Sequence, residues 1–268
     1  MTAYCDCPAG LRLDGYAVDG TSLGTTLDFM AEENGIRVDS LDIGFPTVRE
    51  AVAPHPTQDG NYDYTSLFGP RVVTVTGTFI ASTNYTDRQG MMQALAGWCA
   101  PNIRPHLIYA IDPTSATLSL IVRGSQFSAP ASNRKMSAFT ASWVAPNPAA
   151  TSMLLRELSV KAGETGELLN EGTYTAWPTF TVRGPCRDPL VDWQGGAAHF
   201  TGLELSEGEY VVVSPQARTV TFMGRSEPQF NRYRALDFAR TRWQGLAPGV
   251  TEVYASAALD VAWRDTFI

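Results

Sequence analysis

One motif in this sequence has the spacing of a catalytic nucleophile: Gly20-Thr21-Ser22-Leu23-Gly24 matches the Gly-x-Ser-x-Gly elbow of hydrolases. That elbow exposes its serine hydroxyl only where a strand of a parallel α/β sheet turns into a helix. The three histidines, His55, His106 and His199, have no recognisable nucleophile or orienting acid beside them in sequence. We therefore expect a glycine-rich turn at Ser22 and a protein that is not an enzyme.

Residues that could hold a metal or a cofactor are equally sparse. Cys5 and Cys7 are separated by one residue and have no second pair nearby, whereas structural zinc is held by four ligands in paired spacings. The run that begins at Asp59 lacks the glycine at the sixth position and the glutamate at the twelfth position of a calcium loop, which leaves adventitious cation binding at most. Gly195-Gly196 belongs to no phosphate-binding pattern. We expect no cofactor and no metal.

The charge of the chain restricts its partners. It carries 20 Lys+Arg against 27 Asp+Glu, a formal net charge of -7, which disfavours nucleic acid as a general partner. No apolar run approaches the roughly 20 residues of a membrane helix, so we expect no membrane insertion. Four cysteines in 268 residues are too few for a disulfide scaffold.

A basic segment, residues 218–242, stands out within this acidic chain. Its six arginines face only two acids in the same stretch, and aromatic residues lie between them. Two interpretations remain open: a solvated loop, or a contact surface for an acidic protein partner, since arginine pairs with carboxylates through two hydrogen bonds. The arginines are Arg218, Arg225, Arg232, Arg234, Arg240 and Arg242.

The elements that would position these residues are predominantly strands. Apolar and polar residues alternate in many short runs bounded by turn-forming residues, which predicts antiparallel strands with one buried face. One helix is predicted over about 86–99, because Thr86 to Gln89 fits a capping box and an apolar stripe at helical spacing follows. The absence of regular βα alternation disfavours a doubly wound fold.

The chain is expected to form two domains. Ala145-Pro146-Asn147-Pro148-Ala149 interrupts both helix and central strand, and a mostly polar stretch follows it. We place an N-terminal domain at 1–150, a linker at 151–170 and a C-terminal domain at 171–268. The turn-rich segment 53–64 is predicted to be a long loop or a hairpin tip.

Several of these segments, taken in order, resemble a known family. The run Phe68-Gly69-Pro70-Arg71 leads into the valine-rich strand that ends at Ile80, then comes the helix, and Trp243-Gln244-Gly245-Leu246-Ala247-Pro248-Gly249 lies near the end. Together they resemble the distal tail protein (Dit) of long-tailed bacteriophages, over most of the chain. The resemblance implies a mainly β fold, with an N-terminal β-sandwich or split barrel that carries one helix and a C-terminal galectin-like antiparallel β-sandwich.

The same resemblance implies a structural role in the virion. Such proteins form a homohexameric ring at the tail tip, assembled in the host cytoplasm. The implied partners are the tail tube protein, the tip hub or tail-associated protein and, as a further candidate, the tape measure protein. We assign the ring interface to Asp59, Asn61, Tyr62, Tyr64, Phe68 and Arg71. We assign partner docking to Arg225, Arg232, Tyr233, Arg234, Arg240 and Arg242.

The alternative function is a carbohydrate-binding module that recognises a receptor for the phage tail. A lectin site needs clustered aromatic and polar side chains. The one candidate in the sequence is Trp193, which lies close to Gly195-Gly196 and His199.

Overall fold

The computed structural model describes residues 10–17, 19, 21–31, 35–50, 52–55, 57–59, 61–63, 66–80, 85–130, 136–224, 230–231 and 233–268. The chain divides into two compact units, an N-terminal unit over Met1–Ala150 and a C-terminal unit over Thr151–Phe267. None of the helices in the described part of the chain is long and apolar enough to cross a lipid bilayer.

The N-terminal unit is built from antiparallel strands and one helix within its described residues. The strands are, in chain order, β1 (Gly10–Tyr16), β2 (Ser22–Asp28), β3 (Ile36–Asp42), β4 (Val48–Arg49), β5 (Val52–Pro54), β6 (Asn61–Asp63), β7 (Leu67–Phe68), β8 (Arg71–Ile80), β9 (His106–Ala110), β10 (Leu118–Ile121), β11 (Arg123–Ser128) and β12 (Met136–Ala145).

Two sheets enclose the core of this unit. One contains the order β2-β1-β9-β10 and the other the order β11-β12-β8-β3. The alternation seen in the sequence is the cause, since every second residue of β8 and β12 points inward. The largest fully buried side chains of this core are Trp143, Phe29, Phe79, Leu13, Leu95, Leu107 and Leu120.

The helix α1 spans Tyr85–Trp98, close to the predicted 86–99. Leu95 is fully buried in the core, and Met91, Met92 and Trp98 pack against it, as the apolar stripe predicts. The last turn is tied to the sheet because the indole Nε1 of Trp143 donates to the Trp98 carbonyl at 3.1 Å. The side chains of the proposed capping box at 86–88 lie outside the described residues.

The C-terminal unit is also antiparallel. The strand β13 (Ala150–Ser152) spans the boundary between the units. The strands of the C-terminal unit that follow it are β14 (Arg156–Val160), β15 (Glu164–Asn170), β16 (Thr179–Arg183), β17 (Cys186–Arg187), β18 (Leu190–Trp193), β19 (Gly196–His199), β20 (Glu204–Leu205), β21 (Tyr210–Ser214), β22 (Thr219–Met223), β23 (Phe230–Asn231), β24 (Gly249–Ala255), β25 (Leu259–Trp263) and β26 (Thr266–Phe267).

Two sheets of this unit pack over a second core. Their strand orders are β14-β25-β16-β21-β22-β23 and β15-β24-β18-β19. The core contains Phe180, Trp193, Val211, Val261 and their neighbours. The mainly β, antiparallel fold with a single α-helix in the described residues is therefore confirmed, while the closer likeness to galectins stays a prediction.

The predicted linker at 151–170 is wrong. Residues Arg156–Val160 pair with β25 and residues Glu164–Asn170 pair with β24 over their full lengths. The stretch is polar because these strands turn Glu157, Ser159 and Glu167 outward, while Val160 and Leu168 point into the core. A strand with one solvated face can have the same average composition as a linker. Only the alternation of apolar and polar residues along the strand distinguishes the two.

Candidate interaction surfaces

A β-hairpin arm, defined here as residues 48–68, contains most of the predicted ring-interface residues. β4 pairs with β7 at its base, and β5 pairs with β6 nearer its tip. The register changes by one residue between these two ladders. Asp59, Asn61 and Tyr62 are exposed near the tip, where the rings of His55 and Tyr62 lie 4.0 Å apart. Tyr64 lies outside the described residues.

The base of the arm is held by backbone contacts. Gly69 N donates to the Thr47 carbonyl at 2.6 Å, and Thr47 N donates to the Pro70 carbonyl at 3.3 Å. A side chain at Gly69 would collide with Thr47, because a Cβ built there lies 2.3 Å from its Oγ1. Any larger residue would have to displace the Thr47 side chain, which favours the glycine of the Phe-Gly-Pro-Arg run.

Large apolar side chains surround this base and face solvent. Phe45 is 70% exposed and Leu67 is 58% exposed, and Val48 is exposed as well. Phe68 lies opposite Val48 in the ladder and contacts the Phe45 ring edge-on at 5.8 Å. We call Phe45, Val48, Leu67 and Phe68 the base patch. Phe45, Val48 and Leu67 fall outside the predicted ring interface, although Phe45-Pro46 is visible in the sequence as an apolar residue between turn formers.

Arg71 does not belong to this surface, so its assignment to the ring interface is corrected. Its residue is only 5% exposed, at the start of β8, where it pairs with Ala145. Its side chain forms no hydrogen bond or ion pair with the described residues, and Nε is fully buried. Burial lowers the pKa of Arg71, and the nearby Tyr109 partly opposes this. The strand alternation that turns Val73 and Val75 inward also turns Arg71 inward.

The basic segment of the sequence forms a second surface, on the C-terminal unit. Within it, Arg242 exchanges two backbone hydrogen bonds with Ala197, and Asp237 N donates to the His199 carbonyl at 2.9 Å. These bonds fasten residues 237–242 along β19, at the edge of its sheet. Covering an edge strand in this way also prevents its pairing with other chains.

An aromatic cluster is formed by residues that alternate in sequence with the arginines of this surface. Tyr233 lies 5.0 Å from the Phe238 ring and stacks parallel to Trp243 at 6.3 Å. Phe238 itself is 56% exposed. We call Arg234, Arg240, Arg242 and Phe238 the basic surface. Arg225 and Arg232, the other two predicted docking arginines, lie outside the described residues.

The charges of the basic surface are largely uncompensated. Arg240 approaches Asp237 at 3.6 Å in an exposed pair, which contributes little. Neither Arg234 nor Arg242 forms an ion pair with the residues that the structure describes, and both are exposed. An acidic partner would find charged donors beside an exposed aromatic ring here, which is the composition of many interface centres.

The residues considered for catalysis are dispersed. Ser22 lies in β2, which pairs antiparallel with β1 and is followed by another strand rather than a helix. His106 stacks on Tyr16 at 4.1 Å in the N-terminal unit, and burial lowers the pKa of His106. His199 bonds Asp192 at 2.7 Å in the C-terminal unit. The local geometry at Ser22 is therefore not that of a nucleophile elbow.

The metal and thiol candidates can be placed only in part. Among the described residues, no three His, Cys, Asp or Glu side chains come close enough to share an ion. Cys99 and Cys186 are free, and burial raises the pKa of Cys99 to about 12. Cys5 and Cys7 lie outside the described residues.

Trp193, proposed from the sequence as a sugar platform, is not one. It is 5% exposed and packs against Phe180 at 4.6 Å, and its Nε1 donates to the Gln244 carbonyl at 3.1 Å. A Cβ at Gly196 would lie 2.1 Å from the indole, so glycine there lets the ring lie flat against the backbone. The ring faces of Trp193 are thus used by the core.

No protein-family model and no curated protein matches this sequence. Solved structures do match it. The Dit protein of phage SPP1, described as a paradigm of the hub adsorption apparatus in phages infecting Gram-positive bacteria, aligns with a TM-score of 0.74 and 11% identity, over 96% of this chain and 99% of that chain. A chain of the phage P2 baseplate, in its activated conformation with Ca, aligns with a TM-score of 0.51 and 9% identity, over 96% and 98%.

These likenesses confirm the resemblance at the level of fold. The correspondence with SPP1 Dit runs through both units of the chain and leaves almost nothing of either protein unmatched. The chain therefore has a Dit-like β-sandwich fold.

Proposed function

We propose that this protein is a structural component of a bacteriophage tail, a distal tail protein that forms a homohexameric ring between the tail tube and the tip proteins. The observation that carries the proposal is the end-to-end match to SPP1 Dit, a protein described as part of a hub adsorption apparatus. On this proposal the protein resides in the virion tail and is assembled in the host cytoplasm.

The hairpin arm supports a role in assembly. An isolated two-stranded hairpin is marginally stable in water, because its side chains bury little apolar surface. Yet this arm carries an exposed aromatic and aliphatic base patch. Packing against a second copy would bury these side chains, and a closed ring needs such a head-to-tail contact between two different surfaces.

Native mass spectrometry of the purified protein tests the ring. We expect a hexamer, at high concentration or on addition of tail tube protein, and we expect Leu67→Asp and Phe45→Asp to reduce the assembled fraction strongly. Leu154→Asp is the control, because Leu154 is similarly exposed but lies in the C-terminal unit. If the wild-type protein stays monomeric in the presence of tube protein, the proposed ring is contradicted. If the Leu67→Asp and Phe45→Asp variants form hexamers as the wild type does, the proposed role of the arm and the base patch is contradicted.

The basic surface is proposed to dock an acidic tail protein: the tip hub or a tail-associated protein first, and the tape measure protein as a further candidate. Its exposed charges are screened within about 8 Å at physiological ionic strength, so binding should weaken as salt is raised. The triple variant Arg234→Ser, Arg240→Ser, Arg242→Ser should lose binding to purified hub protein while the hexamer persists.

The matched control for docking is Arg187→Ser, because Arg187 is an exposed arginine of the same unit that pairs with Glu204. It should leave hub binding unchanged. Equal losses in the control and in the triple variant would mean that net charge, rather than this surface, governs the interaction.

We further propose that the protein has no catalytic activity of its own. The placement of Ser22 in an antiparallel strand supports this, because the turn that activates such a serine is missing there. Purified protein should release no product from ester or peptidoglycan substrates. Hydrolysis that disappears in Ser22→Ala would contradict this part of the proposal.

A further inference from the structure

A groove of about 480 Å³ lies on the outer face of the sheet β15-β24-β18-β19 in the C-terminal unit. Strand pairing builds it: Thr165, Tyr254 and Asp192 are direct neighbours across three strands, and their side chains share one face. Glu252 precedes Tyr254 by two residues and therefore lies on the same face. The remaining lining residues are Trp193, Gln194 and Val250.

Most of the polar side chains of this groove are not used by the fold. The side chains of Thr165, Gln194, Glu252 and Tyr254 form no hydrogen bond with the residues that the structure describes. Asp192 uses Oδ1 to bond His199 at 2.7 Å, which orients the carboxylate and leaves Oδ2 available.

A pair of like charges marks the same face. Glu252 lies directly opposite Glu167 in the ladder, and neither forms an ion pair with the described part of the chain. Like charges placed opposite each other destabilise a sheet, so folding alone does not favour this arrangement. A ligand that donates hydrogen bonds to Glu252 would give the carboxylate a function.

A second groove, of about 380 Å³, lies on the outer face of the sheet that contains β14, β25 and β16. It differs from the first groove in how its charged side chains are paired. There Arg183 and Ser159 both donate to Asp260, and Arg183 also lies 5.9 Å from the Tyr210 ring. The arginine and the aspartate at its centre therefore bind each other, whereas Glu157 at its margin forms no ion pair with the described residues. In the first groove, by contrast, no basic side chain pairs with Glu252, and the Tyr254 hydroxyl is also unpaired among the described residues.

We propose that the groove around Tyr254 binds a saccharide without acidic groups. A pyranose presents several hydroxyl donors and one face of C–H groups. Carboxylates accept such donors through short, strong bonds, and a partly exposed tyrosine ring offers an apolar face with a polar tip. The two carboxylates Asp192 and Glu252 would repel phosphate-bearing or uronic acid sugars. This site goes beyond the ring-forming role and does not depend on it.

Saccharide binding can be measured by isothermal titration calorimetry and by saturation-transfer NMR on the full chain. The probes are neutral oligosaccharides of glucose, galactose and N-acetylglucosamine, with a hexuronic acid oligomer and oligolysine for comparison. We expect at least one neutral oligosaccharide to bind, and the acidic oligomer not to bind. Since a hydrogen bond to a charged group contributes more than a neutral one, Glu252→Gln should weaken binding by about tenfold.

Further variants separate the contributions of ring and carboxylate. Tyr254→Ala should abolish detectable binding, whereas Tyr254→Phe keeps the ring and should retain part of it. The matched control is Glu157→Gln, an exposed glutamate on the outer face of the other sheet, which should bind as the wild type does. Unchanged far-UV circular dichroism and melting temperature establish that the variants are folded.

The proposal is overturned if no neutral oligosaccharide binds, or if Tyr254→Ala and Glu252→Gln bind as well as the control. Binding of oligolysine in place of sugars would also overturn it and would assign the groove to a basic protein segment. Because hexamer formation is read by mass spectrometry on the same samples, failure of sugar binding and failure of the ring are distinguishable.

Discussion

Single buried polar residues give this fold its most specific local features. Asp265 is 4% exposed, accepts from Arg156 Nε at 2.8 Å and from Glu171 N at 3.1 Å, and so joins the ends of the C-terminal unit. Its hydrogen bond is the main cause that raises the pKa of Arg156. Arg71 is the opposite case, a buried cation without such partners among the described residues.

Arg71 should be replaceable by an apolar side chain of similar length. A buried unpaired charge is costly, whereas the aliphatic part of an arginine contributes packing. We expect Arg71→Met to keep or raise the melting temperature, and Arg71→Ala to cost about 2 kcal/mol through the cavity it leaves. Thermal unfolding of the three proteins checks this. Equal destabilisation by Met and Ala would show that the charge itself is needed.

His106 should make stability depend on pH. Burial lowers the pKa of His106 in the folded protein, with Asp14 opposing the shift, so the unfolded chain binds its proton more readily. The contribution of His106 is fully present above the ordinary pKa of about 6.5 and is lost as pH falls through the lower folded value.

The measurement for His106 is the melting temperature between about pH 5 and pH 8, where its ordinary pKa lies. His106→Gln should reduce the loss of stability on the acid side relative to the wild type. A variant with the same pH profile as the wild type would mean that other groups govern this range.

At the scale of elements, the outer faces of the two C-terminal sheets differ in charge pairing. The β14–β25–β16 face carries the Arg183–Asp260 pair, and hydrogen bonding by Ser159, with Arg183, lowers the pKa of Asp260. The β15–β24 ladder instead places Glu167 opposite Glu252. The unfavourable pair on the β15–β24 face indicates that the residues of this face serve a purpose other than the stability of the fold.

Reversing one charge of that ladder should stabilise it. Glu167→Lys creates an opposite-charge pair with Glu252, and cross-strand pairs contribute about 0.2–1 kcal/mol. Glu164→Lys is the control, since Glu164 lies in the same strand opposite the uncharged Ala255. Urea denaturation should show a higher midpoint for Glu167→Lys only. Equal shifts would indicate a general effect of lowering the net negative charge.

At the scale of the whole molecule, the chain consists of two units with separate cores. The strands β14 and β15 belong to the C-terminal unit, so a fragment that starts after them would lack two strands. The two edge positions they occupy would be left unpaired.

We therefore expect a fragment of residues 151–268 to be soluble, rich in strand by circular dichroism and cooperative on heating. A fragment of residues 171–268 is the matched comparison and should aggregate or melt without cooperativity, because it leaves the backbone edges of β24 and β25 unpaired. An unfolded 151–268 fragment would mean that its stability depends on the N-terminal unit.

Local patterns in the sequence were sufficient for the fold class. The sequence reveals the strands around Val75 and Phe139 and the helix that ends at Trp98. Each of these elements buries one face, so its apolar residues recur with the period of a strand or of a helix within a single segment. The same reasoning failed at 151–170, where the outward-facing glutamates made the segment polar on average and the alternation of apolar and polar residues was not recognised. The turn-forming segment 53–64 indicated a long loop or a hairpin tip, but not the strand ladders of the hairpin.

The surfaces were decided by tertiary structure. Arg71 is buried because β8 pairs with β12, which lies about seventy residues farther along the chain. Trp193 faces the core and Tyr254 faces solvent because of the pairing of β18 with β24. Sequence determines which side chains alternate, but only strand pairing decides which face is covered and which distant residues meet. That is the physical reason why the fold could be predicted and the groove could not.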